Sequence, residues 1–449
     1  MFDLTRTLPP KFEPPKFDLP KTKSLLNEEQ IIALDAITHW LEYSKEPFFL
    51  LSGSAGTGKT FCVKELTSRN TGCDFAFTAP TNKATKVLRD SIYTRTFKPV
   101  CKTIYSLLGL KLGTDGEVKA IKKGEALNNL SLFTAVVVDE ASMINKELYD
   151  IICEAAVLYN VRFLFMGDAA QLPPIGEKSS AVWKITNTAK LTKIMRYDNA
   201  ILRLANELRG EVDKSCPSIK FRSDNNESVA LGTSLAPEGV WKYNKAEFEE
   251  RIKKDAAEGL FSVPNESKVI SWRNVRVDYF NRLIREAIFP DSKVKWNIGE
   301  RVLFMAPVVH EHGYLIATTD DEGEIIDVDV NDMGEFKIWS IQIRLDFEDK
   351  LVVADVMHED SLEAYEATLR EYANECRVRE RKWSEYWALK EQYHEIKYAY
   401  AITAHRSQGS TYDTAFVCWQ DVLRNSDVQE AYRCLYVACT RPKRCLIFS

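Results

Sequence analysis

Between residues 26 and 200 the chain alternates two hydrophobic patterns. LNEEQIIALDAITHWLEY (26–43) sets its apolar residues at three-four spacing, which predicts an amphipathic helix. Short apolar runs follow, each closing on turn-forming residues: PFFLLSG (47–53), DFAFTAP (74–80), FTAVVVDE (133–140) and VRFLFMGD (161–168). Polar, helix-competent stretches separate them. Continuous apolar runs mark strands buried on both faces, so this region predicts a mostly parallel sheet covered by helices. SKVISW (267–272), DTAFVCW (413–419) and RCLIFS (444–449) predict a second α/β unit of the same kind.

An insertion interrupts that second set. Its first half holds RVLFMAPV, EIIDVDV, EFKIWSIQIRLDF and KLVVADVM, several short strands with tight connections, which predict a small barrel. Glu335 through Gln408 contains neither Gly nor Pro, and Leu362, Tyr365, Leu369, Tyr372, Cys376, Trp383 and Trp387 keep helical spacing. One or two long helices are expected there, with the aromatic stripe as packing surface. A smaller insertion, LKLGTDGEVKA (110–120), carries Asp115-Gly116 between alternating residues, a hairpin signal. The first 23 residues hold Pro9, Pro10, Pro14, Pro15 and Pro20 and cannot be helical. The expected units are a Pro-rich tail (1–23), a first α/β unit (24–200) with a hairpin inserted at about 108–130, a second α/β unit in two pieces (201–297 and 398–449), and an inserted module (298–397).

Composition narrows the functional classes. Apolar residues make up 45% and charged residues 28%, the balance of a globular protein rather than a disordered chain. No apolar run reaches the roughly 18 residues of a membrane span, and the first 20 residues lack the apolar core of a secretory signal, so a cytoplasmic protein is expected. The ten cysteines form no CxxC pair, which favours buried free thiols over zinc or disulfides. A net charge of −5 means that any polynucleotide must be held in a local groove, not by the overall field.

Gly53-Ser54-Ala55-Gly56-Thr57-Gly58-Lys59-Thr60 has the GxxxxGK[ST] form between an expected strand and an expected helix. In that setting backbone N–H groups wrap phosphates and the helix N-terminus favours their charge. Lys59 would meet the β- and γ-phosphates of ATP, and the Thr60 hydroxyl would ligate Mg²⁺. Val136-Val137-Val138-Asp139-Glu140 supplies the second metal-side carboxylate, with Asp139 on Mg²⁺, directly or through water, and Glu140 as general base for the attacking water. Gln171, in the loop after Gly167-Asp168, can bond the γ-phosphate or that water. Arg441, after a strand-like YVA, and Arg196, in LTKIMRY, are candidate cations for the transferring phosphate. Trp272 and Asn274 stand at a strand end where they could touch a nucleic-acid strand; core packing of Trp272 is an equal alternative.

In order, the chain carries LNEEQ, GSAGTGKT, FTAPTNKA, TIYSLLG, VVDEASM, FMGDAAQLPPI, LTKIMRY, AITAHRSQGSTYD and YVACTRPKR. That series resembles superfamily 1 helicases of the RecD-like branch, and within it the small Dda-type helicases of tailed phages. The resemblance spans roughly residues 26–449. It implies an α/β architecture of two tandem RecA-like parallel-sheet domains, a pin hairpin, and an SH3-like module with a helical tower bracing the pin. It implies ATP and Mg²⁺ as cofactors, single-stranded and forked duplex DNA as partners, contact with replication or recombination proteins, a monomer, and 5′-to-3′ movement. Gln30 would contact adenine. Arg196 and Arg441 would meet the γ-phosphate from the two sides of the cleft, and Gln408 and Gly409 would couple nucleotide state to strand grip. Thr78, Pro80, Thr81, Asn82, Thr103 and Ser106 would line the strand's track on the first domain, and Thr403, His405 and Ser407 on the second. Two departures stand out: the expected pin lacks an aromatic residue, leaving Leu110, Leu112 or Val118 as wedge, and Pro442 follows Arg441 where a small residue is commoner. An ATP-driven translocase that displaces bound proteins without separating strands would use the same residues.

Overall fold

The computed structural model describes residues 26–70, 72–95, 97–112, 118–120, 127–193, 200–212, 214, 238–309, 315–346, 350–379 and 381–449. The first helix, α1 (Glu28–Tyr43), opens on a capping box: the Asn27 side chain accepts from Gln30 N–H at 2.9 Å and the Gln30 side chain accepts from Asn27 N–H at 3.0 Å. Next come β1 (Phe48–Gly53), α2 (Lys59–Arg69), β2 (Phe75–Ala79), α3 (Asn82–Ile92), β3 (Val100–Thr103) and the one-turn α4 (Ile104–Leu107). A hairpin of β4 (Leu110–Leu112) and β5 (Val118–Ala120) pairs antiparallel with Leu112 opposite Val118. Then follow β6 (Ala135–Val138), α5 (Lys146–Tyr159), β7 (Arg162–Gly167) and β8 (Thr188–Leu191). Six of these strands form one parallel sheet in the order β3-β2-β6-β7-β1-β8. Each face has its own apolar cluster, one around Leu34, Val63 and Phe77, the other around Ile104, Val136 and Phe165. Burial on both faces is why these strands read as unbroken apolar runs.

The second lobe begins with α6 (Ala200–Val212), β9 (Gly239–Lys242), α7 (Lys245–Ala257), β10 (Ser267–Ser271) and α8 (Asn274–Ile288). The insertion then contributes β11 (Arg301–Phe304), β12 (Val308–Val309), β13 (Leu315–Ala317), β14 (Glu322–Met333), β15 (Phe336–Leu345), β16 (Leu351–Met357), the helices α9 (Glu359–Arg377) and α10 (Trp383–Gln392), and β17 (Ile396–Tyr398). The chain returns through β18 (Ala401–Thr403), β19 (Tyr412–Val417), the short α11 (Trp419–Val422), α12 (Val428–Thr440) and β20 (Pro442–Phe448). The second sheet is parallel throughout, in the order β18-β10-β19-β20-β9. The insertion folds on its own antiparallel sheet, β16-β15-β14-β11-β17, over a core of Val302, Ile341, Ile343 and Ala354. Part of its aromatic stripe packs: Tyr365 meets Phe336 and Tyr393 edge to face, with ring centroids 5.6 and 5.2 Å apart, while Leu362 and Trp383 stay exposed.

One expectation fails here. Tyr436, Val437 and Ala438, expected as a strand, lie inside α12. Every residue from Ala431 to Cys439 except Arg433 is buried, so this helix has no polar stripe and its sequence mimics a buried strand.

Candidate nucleotide site and strand track

Three adjacent strands, β1, β7 and β6, end on the same edge of the first sheet, and their carboxyl ends carry the P-loop, Asp168 and Asp139. Ligands collect at such an edge in parallel α/β sheets. The P-loop backbone needs its glycines. A Cβ on Gly53 would lie 2.7 Å from Thr57 Oγ1 and 2.8 Å from Leu191 O; Gly58 has φ +82°, and a Cβ there would lie 2.5 Å from Gln30 Nε2. Ser54 and Thr57 are buried, and the Thr57 hydroxyl donates to Ser54 O at 2.9 Å. The Lys59 ammonium donates to Gly53 O at 2.7 Å and Ser54 O at 3.1 Å, curling onto the loop's own carbonyls. Gln30 Nε2 donates to Thr57 O at 3.0 Å, so α1 props the loop from behind.

Asp139 Oδ1 accepts from Glu140 N–H at 2.8 Å, and Glu140 sits in the left-handed region at φ +52°. That turn ends β6 and separates the two carboxylates. Burial is the main reason the Asp139 carboxyl is pushed up to about 6; the Glu140 charge adds to it and Lys59 opposes it. A half-buried carboxylate held above its ordinary range, within electrostatic reach of Lys59 at the start of α2, fits a divalent cation. Mg²⁺ uses few protein ligands of this hard-oxygen type and takes the rest from phosphates and water.

The second lobe reaches this site through α12 and the loop before β19. The Tyr436 hydroxyl donates to the buried carboxylate of Asp168 and accepts from Ala55 N–H of the P-loop at 3.4 Å. Arg209, on α6, donates to the same Asp168 through Nε and Nη2 at 3.2 and 3.0 Å. Arg433 donates to Gln171 O at 3.0 Å. Gln408 Nε2 donates to Ser142 Oγ at 3.0 Å and to Gln171 Oε1 at 3.2 Å. Gly409, at φ +75°, lets the chain pass so close to α3 that a Cβ would stand 2.8 Å from Ala84 Cβ. Arg441 is buried, and its guanidinium donates to Val437 O at 3.0 Å, Ser410 O at 3.1 Å and Thr440 Oγ1 at 3.1 Å, all within its own lobe. Arg196 lies outside the described residues, as do 113–117 at the tip of the hairpin.

Residues 25–225 match the AAA domain family, and residues 398–448 match the UvrD-like helicase C-terminal domain. The chain is 23% identical over 441 residues to the ATP-dependent DNA helicase dda of Enterobacteria phage T4, spanning 88% of this chain and 93% of that one. It is 24% identical over 510 residues to an uncharacterized protein of Acanthamoeba polyphaga mimivirus, spanning 94% and 99%. A solved structure of two coordinating Pif1 helicases, described for DNA unwinding at forked double-stranded DNA, shares the fold with a TM-score of 0.51 at 18% identity, covering 94% of this chain and 92% of that one. The chain is thus similar, over most of its length, to helicases of the Pif1/RecD-like branch of superfamily 1. An AAA domain followed by a helicase C-terminal domain supports an enzyme of the P-loop ATPase class.

The structure places the expected track residues unevenly. Pro80 and Thr81 are part-exposed after β2, with Thr81 capping α3 through Ala84 N–H at 3.2 Å. Thr103 caps α4 through Ser106 N–H at 3.1 Å, and the Ser106 side chain is exposed. Thr403 and His405 are part-exposed beyond β18, with His405 Nε2 3.3 Å from Glu430. Asn274 opens α8 beside Thr403 and Arg406 in a shared cleft.

Three expectations are corrected. Thr78 is fully buried in β2 with its hydroxyl on Val137 O at 2.8 Å, and Ser407 is fully buried with its hydroxyl on Ala404 O at 2.7 Å. Both hold backbone and cannot meet a strand. Asn82 spends its amide on Thr318 Oγ1 at 2.7 Å and on Asp321 at 3.0 and 3.1 Å, tying α3 to the insertion. Trp272 packs on the second-lobe core, the alternative expected for it.

Tyr436 and Arg209 lie outside the sequence-predicted set. Tyr436 had a signal available, because it opens YVACTR, five residues ahead of Arg441. LANELR, which holds Arg209, carries none.

Proposed function

We propose that this chain is an ATP-dependent, Mg²⁺-requiring DNA helicase that moves 5′ to 3′ along a single strand and separates the duplex ahead of it. Its stroke is the opening and closing of two RecA-like lobes. The observation that carries this reading is the second lobe's direct grip on the nucleotide edge: Tyr436 on Ala55 and Asp168, and Gln408 on Gln171 and Ser142. Any ligand that reshapes that edge changes the contacts between the lobes.

The residues divide the work as follows. Gly53 to Gly58 offer backbone N–H groups to the phosphates, and Lys59 exchanges the carbonyls of Gly53 and Ser54 for the β/γ-phosphate oxygens. Gln30, at the start of α1 behind the loop, would contact the adenine. Thr60 and Asp139 would hold Mg²⁺, which when bound neutralises charge on the phosphates. Glu140 accepts the proton of the attacking water as the oxygen bonds the γ-phosphorus and ADP departs with the broken bridge. Gln171 orients that water. Arg441, from the second lobe, exchanges Ser410 O and Val437 O for γ-phosphate oxygens, with Arg196 as its counterpart. Loss of the γ-phosphate releases both arginines, and Gln408 passes the change to Gly409 and the loop that carries Thr403 and His405. Those two, with Pro80, Thr81, Thr103, Ser106 and Asn274, grip the strand.

A forked duplex with either a 5′ or a 3′ single-stranded tail tests activity, polarity and substrate together. Unwinding from the 5′ tail, with ATP hydrolysis stimulated by single-stranded DNA, is expected. Hydrolysis without unwinding would replace the helicase with the protein-displacing translocase. No stimulation by single-stranded DNA would remove the motor reading.

A further inference from the structure

We propose that the tip of the α9–α10 tower is a second binding site for single-stranded DNA, separate from the track between the lobes, and that it holds the displaced strand. This rests on the helicase reading above. The body of α9, from Glu359 to Cys376, holds six carboxylates and one arginine; residues 377–382 then carry a net charge of +3. Along α9 and the turn that follows it, positive charge is thus concentrated at the tip.

Local pairing uses one of the four cations at the tip on carboxylates, and a second, Arg377, donates to Asn374 Oδ1 at 3.0 Å. Arg381 is spent: it lies 3.6 Å from the Tyr372 ring centroid and bonds Glu375 at 2.6 Å and Glu385 at 2.9 Å, which braces the turn between the helices. Arg377, Arg379 and Lys382 are exposed and have no carboxylate partner among the described residues. Arg379 adopts φ +66°, which turns the chain sharply between the helices. Beside them Trp383 is 46% exposed, its ring 5.5 Å from Tyr386, which in turn meets Trp387 at 5.2 Å. Arg377, Arg379, Lys382 and Trp383 line one open groove of about 820 Å³. Unpaired cations beside an exposed aromatic face fit a backbone with unstacked bases, and a duplex offers no such bases to stack.

The test is full-length helicase binding to a forked DNA with and without the non-tracking tail, in the parent, in Trp383→Ala and in Arg379→Ala/Lys382→Ala. The parent is expected to gain affinity from that tail, and Trp383→Ala to lose about tenfold of it. The double variant, which touches only exposed unpaired side chains, should lower the log–log salt slope of the forked complex by about 1.4, or 0.7 for each phosphate contact removed. Hydrolysis stimulated by single-stranded DNA should match the parent in both. A parent that gains nothing from the tail overturns the proposal, and so do variants that keep the whole gain. A parent with no stimulated hydrolysis would count against the motor reading instead.

Discussion

At the scale of single residues, the nucleotide edge separates binding from chemistry. Glu140→Gln keeps the shape of the site and removes the base, so it should bind ATP and hydrolyse none. Lys59→Ala should abolish turnover by losing the cation. Nucleotide titration and steady-state ATPase rates check both, and full turnover in either variant would sink the assignment. Arg441→Ala should bind ATP yet turn over about 10³-fold more slowly, the range of a trans-acting arginine; equal kcat would remove it as a finger. Tyr436 is the subtler case. Its hydroxyl spans Ala55 N–H and Asp168, while Arg209 continues to pair with Asp168 in its absence. Tyr436→Phe should therefore fold, bind ATP near normally and lose about tenfold in kcat, the equivalent of one hydrogen bond of roughly 1–1.5 kcal/mol. A fall in affinity without a fall in kcat would make Tyr436 a mere prop of the loop.

At the scale of elements, the hairpin β4–β5 and α12 teach opposite lessons. Deleting residues 111–119 should leave stimulated hydrolysis intact and stop strand separation, because both lobes and their cleft stay whole. Forked-duplex unwinding and ATPase assays on the same preparation check this; a deletion that still unwinds would send the search for a wedge elsewhere. The hairpin was legible because Asp115-Gly116 is a local signal that depends on nothing distant. The central strands β1, β2, β6 and β7 were legible because burial on both faces forces an unbroken apolar run. Edge strands were not: Thr188–Leu191 alternates threonine and lysine with small apolar residues, and Gly239–Lys242 is four residues long. α12 was misread for the opposite reason, since a helix buried all round loses the polar stripe that marks its period. The site shows the same division. The spacing of Gly53 to Thr60 and the pair Asp139-Glu140 follow from local chemistry. The Thr78 hydroxyl bonds β6, 59 residues on, and the Asn82 amide bonds the insertion, 236 to 239 residues on, so neither partner shows in the local sequence.

At the scale of the whole molecule, one carboxylate joins three units. Glu322, at the start of β14, bonds Lys83 of α3 in the first lobe at 2.6 Å and Lys268 of β10 in the second lobe at 2.9 Å; Arg301 of the insertion stands at 4.0 Å. All four side chains are largely removed from solvent. Burial alone would raise the Glu322 carboxyl, but Lys268, Lys83 and Arg301 together hold it well below the usual carboxylate range. A carboxyl depressed by folding stabilises the protein fully above its unfolded value of 4.5, and that stabilisation is lost as the pH falls from there through the folded value. Glu322→Gln leaves the buried Lys268 ammonium without its carboxylate and Lys83 with Asp320 alone nearby, a loss of roughly 3–5 kcal/mol for a broken buried pair. Urea denaturation at pH 7 should show that gap between parent and variant, and the gap should narrow steadily below pH 4.5, where the unfolded parent takes up a proton on Glu322 that the folded protein does not. Because Lys83 and Lys268 belong to different lobes, the variant should also unfold less cooperatively, with the insertion releasing before either parallel sheet. Parent and variant of equal stability at pH 7, or a gap that ignores pH, would reduce Glu322 to one more charge near a crowded surface, and the insertion would then follow the lobes by packing alone.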